Sequence, residues 1–217
     1  MWLHPLQTPQ RQKRQSALAR DLLRVICKIE GVALGEDELR LPGLELIELF
    51  SSRYSTGLSI AHCRGMLAIA IGPGRVGVDC ELKGRSRNWQ GIAQQFFTPG
   101  EAHAISVARP EDREEAFLHH WVLKEAYIKA IRGSIFGDLN RLVVEGQGVS
   151  ILAAECNTWN NWWTWEVEVS GSMIALCNSH SGAVMFSVID SLSSEPAALF
   201  VSRLSDTQGQ LASVLSP

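Results

Sequence analysis

The sequence lacks most of the features that give a chain away at once. It has no long hydrophobic run: the longest apolar stretch, MLAIAIG, falls far short of the ~20 residues a membrane-spanning helix needs, so no membrane span is expected. The start, MWLHPLQTPQRQKRQ, turns polar and basic before a secretory leader can form. There is no cysteine framework either. Cys27, Cys63, Cys80, Cys156 and Cys177 are odd in number, widely spaced and without a CxxC pair. That argues against disulfide staples and a structural zinc site, and for a reducing cytoplasm. Positive charge is not in surplus: 20 Lys and Arg against 23 Asp and Glu give a net charge of -3. No global attraction to nucleic acid or an anionic membrane follows, so any polyanion site must come from local clustering.

What is present is a chain of 217 residues, 46% hydrophobic, long enough for one large domain or two small lobes around a real core. From 10 to 30, Leu18, Leu22, Val25, Ile26 and Ile29 recur at helical spacing, with Lys13, Arg20 and Arg24 on another face. The spacing predicts an amphipathic helix with a basic stripe, whose plainest reading is a solvated face. Residues 31–57 give no clear assignment. LSIAHC, MLAIAI and RVGVDCEL then read as a strand meander across Arg64-Gly65 and the GPG turn. FFTPGEA carries a helix start, with Thr98 as N-cap, Pro99 at the first position and Glu101 three residues after the cap. A longer helix is predicted from Pro110 to about Gly133. RLVVEG, GVSILAAE, WWTWEVEVS, MIALCNS and AVMFSVI follow as strands of an antiparallel sheet. The tail from about Ser191 shows no pattern.

Two stretches carry chemistry. In VGVDCE, Asp79 and Glu81 share one face of a strand, because side chains alternate with a period of two. Two half-buried carboxylates side by side repel each other and call for a cation or a solvated edge. In WVLKEAYIK, Glu125 and Lys129 fall on one helix face, while Lys124 interrupts the apolar stripe of Phe117, Trp121 and Ile128. The bland alternatives are a Lys124 stem laid over Trp121 and an i,i+4 pair worth only about 0.3 to 0.5 kcal/mol. A third carboxylate from the helix would complete an oxygen site suited to Mg²⁺, which also accepts phosphate oxygens from a substrate.

In order and at this separation, VGVDCE at 76–81 and WVLKEAYIK at 121–129 resemble the two signatures of the Sfp-type 4′-phosphopantetheinyl transferases. The basic N-terminal helix, a strand ending in His62 and FFTPGEA between the signatures add to the likeness, which covers roughly residues 10–180. The Gly-Lys/Arg-Pro element common in that family is not recognisable in 40–57, and Ala61 stands where a serine often precedes the histidine. The resemblance implies transfer of the phosphopantetheine arm of coenzyme A to a serine of an apo acyl or peptidyl carrier protein, with release of adenosine 3′,5′-bisphosphate. Asp79, Glu81 and Glu125 match the family's Mg²⁺ ligands. Glu125 is also expected to accept the serine proton, and Lys124 and Lys129 to bind the pyrophosphate and steady the leaving group. His62, Arg20 and, beside it, Lys13 and Arg24 would meet the nucleotide phosphates.

The implied architecture is α+β: a cytoplasmic monomer of two similar, pseudo-symmetric lobes, each a helix packed on a small antiparallel sheet. An N-terminal lobe at 1–77, a C-terminal lobe with the metal site at 78–190 and a tail at 191–217 are expected, with coenzyme A between the lobes. Two rivals remain. A metal-dependent nuclease would use Asp79, Glu81 and Lys83 as a D/E-x-K site, with an upstream carboxylate such as Glu45 or Glu48. A non-catalytic module would dock an acidic partner on the basic helix. The pair His119-His120 is discounted as a metal motif, since neighbours on a helix point about 100° apart. Trp163 and Trp165 read as sheet core beside Val167 and Val169, while Trp159 or Trp162 could serve docking.

Overall fold

The computed structural model describes residues 9–145, 148–151, 162–180, 184–190 and 197–204. The basic stretch forms α1 (Pro9–Ile29), and the segment without a sequence assignment forms a short 3-10 turn (Glu38–Arg40) and α2 (Gly43–Tyr54). Leu46 and Phe50 of α2 are buried at an i,i+4 spacing, a helical signal that the surrounding glutamates dilute. The three strands expected as a meander follow as β1 (Thr56–Cys63), β2 (Met66–Pro73) and β3 (Val76–Leu82), but only β1 and β2 pair; after the GPG turn β3 crosses to another sheet, so the meander stops at a hairpin. After β3 comes a helix absent from the sequence reading, α3 (Trp89–Phe96), capped by the Asn88 side chain.

The capping box expected at Thr98 is formed: its hydroxyl accepts from the Glu101 amide, and Glu101 accepts from the Thr98 amide, opening α4 (Pro99–Val107). The long helix, α5 (Arg113–Ile131), ends at Arg132 in the left-handed conformation. Then come α6 (Ile135–Asp138), β4 (Leu142–Glu145), β5 (Gly148–Ile151), β6 (Trp163–Val169), β7 (Ser172–Asn178), β8 (Val184–Asp190) and β9 (Ala197–Leu204).

The strands make antiparallel sheets ordered β1-β2-β8-β9, β3-β7-β6 and β4-β5. Alternation along each strand sorts side chains into layers. Leu58, Leu67, Ile69 and Ile71 pack with Leu22, Ile26 and Phe50 under α1 and α2. The opposite faces of β1 and β2, with Ala61, Ala68 and Ala70, meet Val78, Cys80, Ile174 and Leu176 of the second sheet. Small alanines there let the sheets approach closely. The far face of that second sheet, with Met173, Ala175 and Cys177, packs on α5. The result is a helix, sheet, sheet, helix sandwich, and each wholly buried Phe or Leu in it contributes about 1.5 to 3 kcal/mol.

The fold is therefore α+β, as expected. The sheets are divided differently from the sequence expectation: β8 pairs with β2 (Ile69 opposite Ser187), and β9, drawn from the stretch taken as tail, pairs with β8. Trp165, Val167 and Val169 do line the inter-sheet core, and Trp162 packs edge-on against Tyr127 at 4.8 Å. Trp159 lies outside the described residues. Among the described residues no helix is long and apolar enough to cross a membrane.

Candidate active site

The site begins with a glycine. A Cβ on Gly77 would sit 1.9 Å from the Ala126 carbonyl oxygen and 2.6 Å from the Ala130 amide nitrogen, so only glycine lets α5 rest backbone to backbone on β3. Ala126 and Ala130, both buried, complete the close contact. That contact sets Glu125 and Lys129 beside the strand face that carries Asp79 and Glu81.

Lys129 Nζ lies 2.6 Å from Asp79 Oδ1. Asp79 is 5% exposed, and its other oxygen, Oδ2, is buried with no hydrogen-bond partner. Burial raises its proton affinity, with the Glu81 charge adding and Lys129 opposing. Burial works against the Lys129 ammonium too, but Asp79 and Glu125 outweigh it and hold its proton above the usual lysine range. Glu125 is pushed up to about 8, first by burial and then by the Asp79 charge; Lys129 and Arg87 offset this in part, while Glu81 adds to it. The negative charges of Asp79 and Glu81 thus each add to the proton affinity of Glu125.

Glu81 holds a cation of its own. Arg87 places a guanidinium nitrogen 2.5 Å from Glu81 Oε2 and lies over the Trp89 ring at 5.2 Å, and Arg85 stands farther off at 3.8 Å. Arg87 escaped the sequence reading; the signal was its place six residues after Glu81 in KGRSRNW, just before α3. Among the described residues no three His, Cys, Asp or Glu side chains are gathered as a finished metal site. Asp79 and Glu81 are instead each engaged by a cation. Three hard oxygen donors and an orphaned buried carboxylate oxygen nevertheless match what Mg²⁺ takes.

Beside Glu125 and Lys129 opens a cleft of about 330 Å³, walled by Ile47 and Glu48 of α2 and by Leu58 and Ile60 of β1. It runs between the α2-β1 layer and α5.

The structure does not bring Lys124 to this cleft, where the sequence reading had placed it as a phosphate ligand. Its side chain is wholly buried, with Nζ 2.5 Å from Glu101 Oε2, 3.2 Å from the Leu139 carbonyl and over the Phe97 ring at 4.5 Å. Glu101 Oε1 accepts from the Val144 amide. Burial tends to raise the Glu101 pKa, yet Lys124 and that amide hold it below the usual range. The glutamate of the capping box thus anchors α4, α5 and β4 together.

The other expected phosphate contacts are spread over the first layer. His62 is exposed on β1, opposite Leu67. Arg20 donates to the Leu39 carbonyl at 3.1 Å, and Arg24 is paired with Glu36 at 2.9 Å and Asp21 at 2.8 Å. Lys13 belongs to α1, but its side chain lies outside the described residues. Lys83 pairs with Glu168 at 2.6 Å and Glu115 at 3.4 Å rather than with the cluster, and Glu45 and Glu48 sit on a helix, so the D/E-x-K arrangement is not formed. His119 meets Glu166 at 2.5 Å and His120 Nδ1 meets the Ala116 carbonyl at 2.7 Å, so the two rings go separate ways.

Residues 75–183 match the 4′-phosphopantetheinyl transferase superfamily, a span of half the chain. Among curated relatives, the chain is 29% identical over 131 residues to the 4′-phosphopantetheinyl transferase AcpT of Salmonella typhimurium, covering 59% of this chain and 64% of that protein. It is 29% identical over 92 residues to a putative 4′-phosphopantetheinyl transferase of Synechocystis sp., covering 42% and 37%. The 4′-phosphopantetheinyl transferase HetI of Nostoc sp. is 27% identical over 73 residues, covering 33% and 31%. The matched stretch spans less than two thirds of the length of each of these relatives. Because the superfamily match runs from the turn before β3 to beyond β7, it takes in both halves of the carboxylate cluster, and the chain belongs to the 4′-phosphopantetheinyl transferase superfamily.

Proposed function

We propose that this protein is a transferase of the Sfp type, moving the 4′-phosphopantetheine arm of coenzyme A to a serine of an apo acyl or peptidyl carrier protein. The observation that carries the proposal is the junction of α5 with β3 at Gly77, which puts the strand face of Asp79 and Glu81 beside Glu125 and Lys129, two residues that line the cleft; all four fall inside the matched span. Asp79, Glu81 and Glu125 would hold Mg²⁺; the orphaned Asp79 Oδ2 supports this. The ion, when bound, supplies charge neutralisation at the pyrophosphate oxygens.

The chain's own groups do the rest. Lys129, standing at the cleft, meets the pyrophosphate and steadies charge on the departing oxygen. Glu125 takes the serine proton, directly or through water. The serine oxygen forms its bond to the phosphorus that carries the pantetheine arm. The bond from that phosphorus to the bridging oxygen breaks, and adenosine 3′,5′-bisphosphate leaves with the electron pair. His62 and Arg20, with Lys13 and Arg24 on the same helix as Arg20, face the nucleotide phosphates in this reading. Lys124 serves the helix rather than the substrate.

The test incubates the protein with Mg²⁺, coenzyme A and several apo carrier proteins and measures the carriers' intact mass. Gain of one phosphopantetheine arm on at least one carrier is expected, and lost on Asp79→Asn. No gain on any carrier overturns the reading.

A further inference from the structure

Each of the two strand carboxylates already holds one cation. Asp79 holds Lys129 at 2.6 Å and Glu81 holds Arg87 at 2.5 Å, so both of these cations are engaged by carboxylates and neither is free to meet a pyrophosphate. A divalent ion on Asp79 and Glu81 would supply the same two positive charges and leave both side-chain cations without their partners. Lys129 is anchored on α5 and lines the cleft. Arg87 lies in the connection between β3 and α3, and its guanidinium rests over the Trp89 ring, 14% exposed. The ring face keeps the guanidinium beside the cluster once Glu81 is taken, because cation-π contact survives the loss of the ion pair. Arg85, at 3.8 Å and 33% exposed, is the weaker partner.

From this geometry we infer that Arg87 is a further phosphate-binding residue: it is parked on Glu81 in the metal-free protein and passes to the coenzyme's pyrophosphate when a divalent ion claims Glu81. The inference rests on the transferase reading for the identity of the ligand. It makes ion binding the event that switches the site from internally paired to phosphate-attracting, so metal should precede coenzyme. Arginine suits the role because its planar fork matches carboxylate and phosphate alike.

The experiment measures coenzyme A and Mg²⁺ affinities by calorimetry on wild type, Arg87→Met, Glu81→Gln and the double variant, with melting curves to establish folding. Arg87→Met is expected to bind Mg²⁺ more tightly, since a competitor is gone. At saturating Mg²⁺ it should bind coenzyme A about tenfold more weakly, the loss of one charge-assisted contact, whereas without Mg²⁺ it should match wild type. Glu81→Gln releases Arg87 without any ion, so its metal-free affinity for coenzyme A should rise, and the double variant should lose that gain. An Arg87→Met effect on coenzyme A that is the same with and without Mg²⁺, or absent in both, overturns the hand-over while leaving the transferase reading standing. A wild-type protein that binds no coenzyme A at all overturns both.

Discussion

Lys124 and Lys129 stand five residues apart on α5 and each grips a carboxylate, but they face opposite worlds. Lys124 and its partner Glu101 are 0% and 6% exposed, walled by Phe97 and the Leu139 carbonyl, and every oxygen of Glu101 is used within the protein. Lys129 is 33% exposed on a cleft, and Asp79 keeps one buried oxygen without a partner. The first pair is closed and fastens three elements. The second is open on one side and leaves donors for something else. A buried ion pair adds little by existing but costs much to break, whereas an unfinished pair invites a third charge.

The largest effect expected is structural. Lys124→Met strands the Glu101 carboxylate in the core and should cost about 3 to 5 kcal/mol, lowering the melting temperature by roughly 10 °C in a chain of this size. Calorimetry on the variant checks it; a loss no greater than that of Lys129→Met would break the contrast. Next is Lys129→Met, expected to lower the transfer rate about 10²-fold or more, as loss of a charge-stabilising donor does, with a smaller melting deficit that shrinks when Mg²⁺ is added. Rates from carrier-protein mass and melts with and without the ion separate the two lysines.

A third test uses pH on the metal-free protein. Glu125 titrates near 8 in the fold against 4.5 as a free side chain, so between those values the folded form binds the extra proton and stability falls as pH rises. In chelator, Glu125→Gln should therefore melt higher than wild type at pH 8.5 and close to it at pH 5. Equal differences at both pH values would contradict the burial of that carboxyl. The smallest effect belongs to Lys83, whose partners Glu168 and Glu115 are 53% and 71% exposed. Lys83→Met should change stability by about 1 kcal/mol or less and leave transfer unaltered, where a D/E-x-K nuclease would require that lysine.

Local signals carried most of the secondary structure. The Thr98 to Glu101 capping box, the α1 and α5 periodicities and the β1 to β3 alternation depend on residues a few positions apart, and all are formed. The two spaced motifs gave the family and the Asp79, Glu81, Glu125 and Lys129 grouping. Other parts were not legible. In α2 the glutamates of GLELIELF mask its apolar pair, and α3 is only eight residues long with a glycine inside it, too short for a clear periodicity. Arg87 carries no motif, because its meaning comes from the carboxylate it meets. The exchange of β8 and β9 into the first sheet pairs residues more than a hundred positions apart, beyond the reach of any periodicity.

By itself the sequence determined the angular arrangement on α5: five residues of helix turn Lys124 and Lys129 about 140° apart, onto different faces. What stood on either side of the helix was decided only by packing. Gly77 let β3 come up against Ala126 and Ala130, which gave Lys129 to Asp79. Glu101, the capping-box glutamate of α4 and 23 positions before Lys124, closed over the other side and took that lysine into the core. The reason is that burial and ion pairing depend on distances through space, and those exist only once the chain has folded.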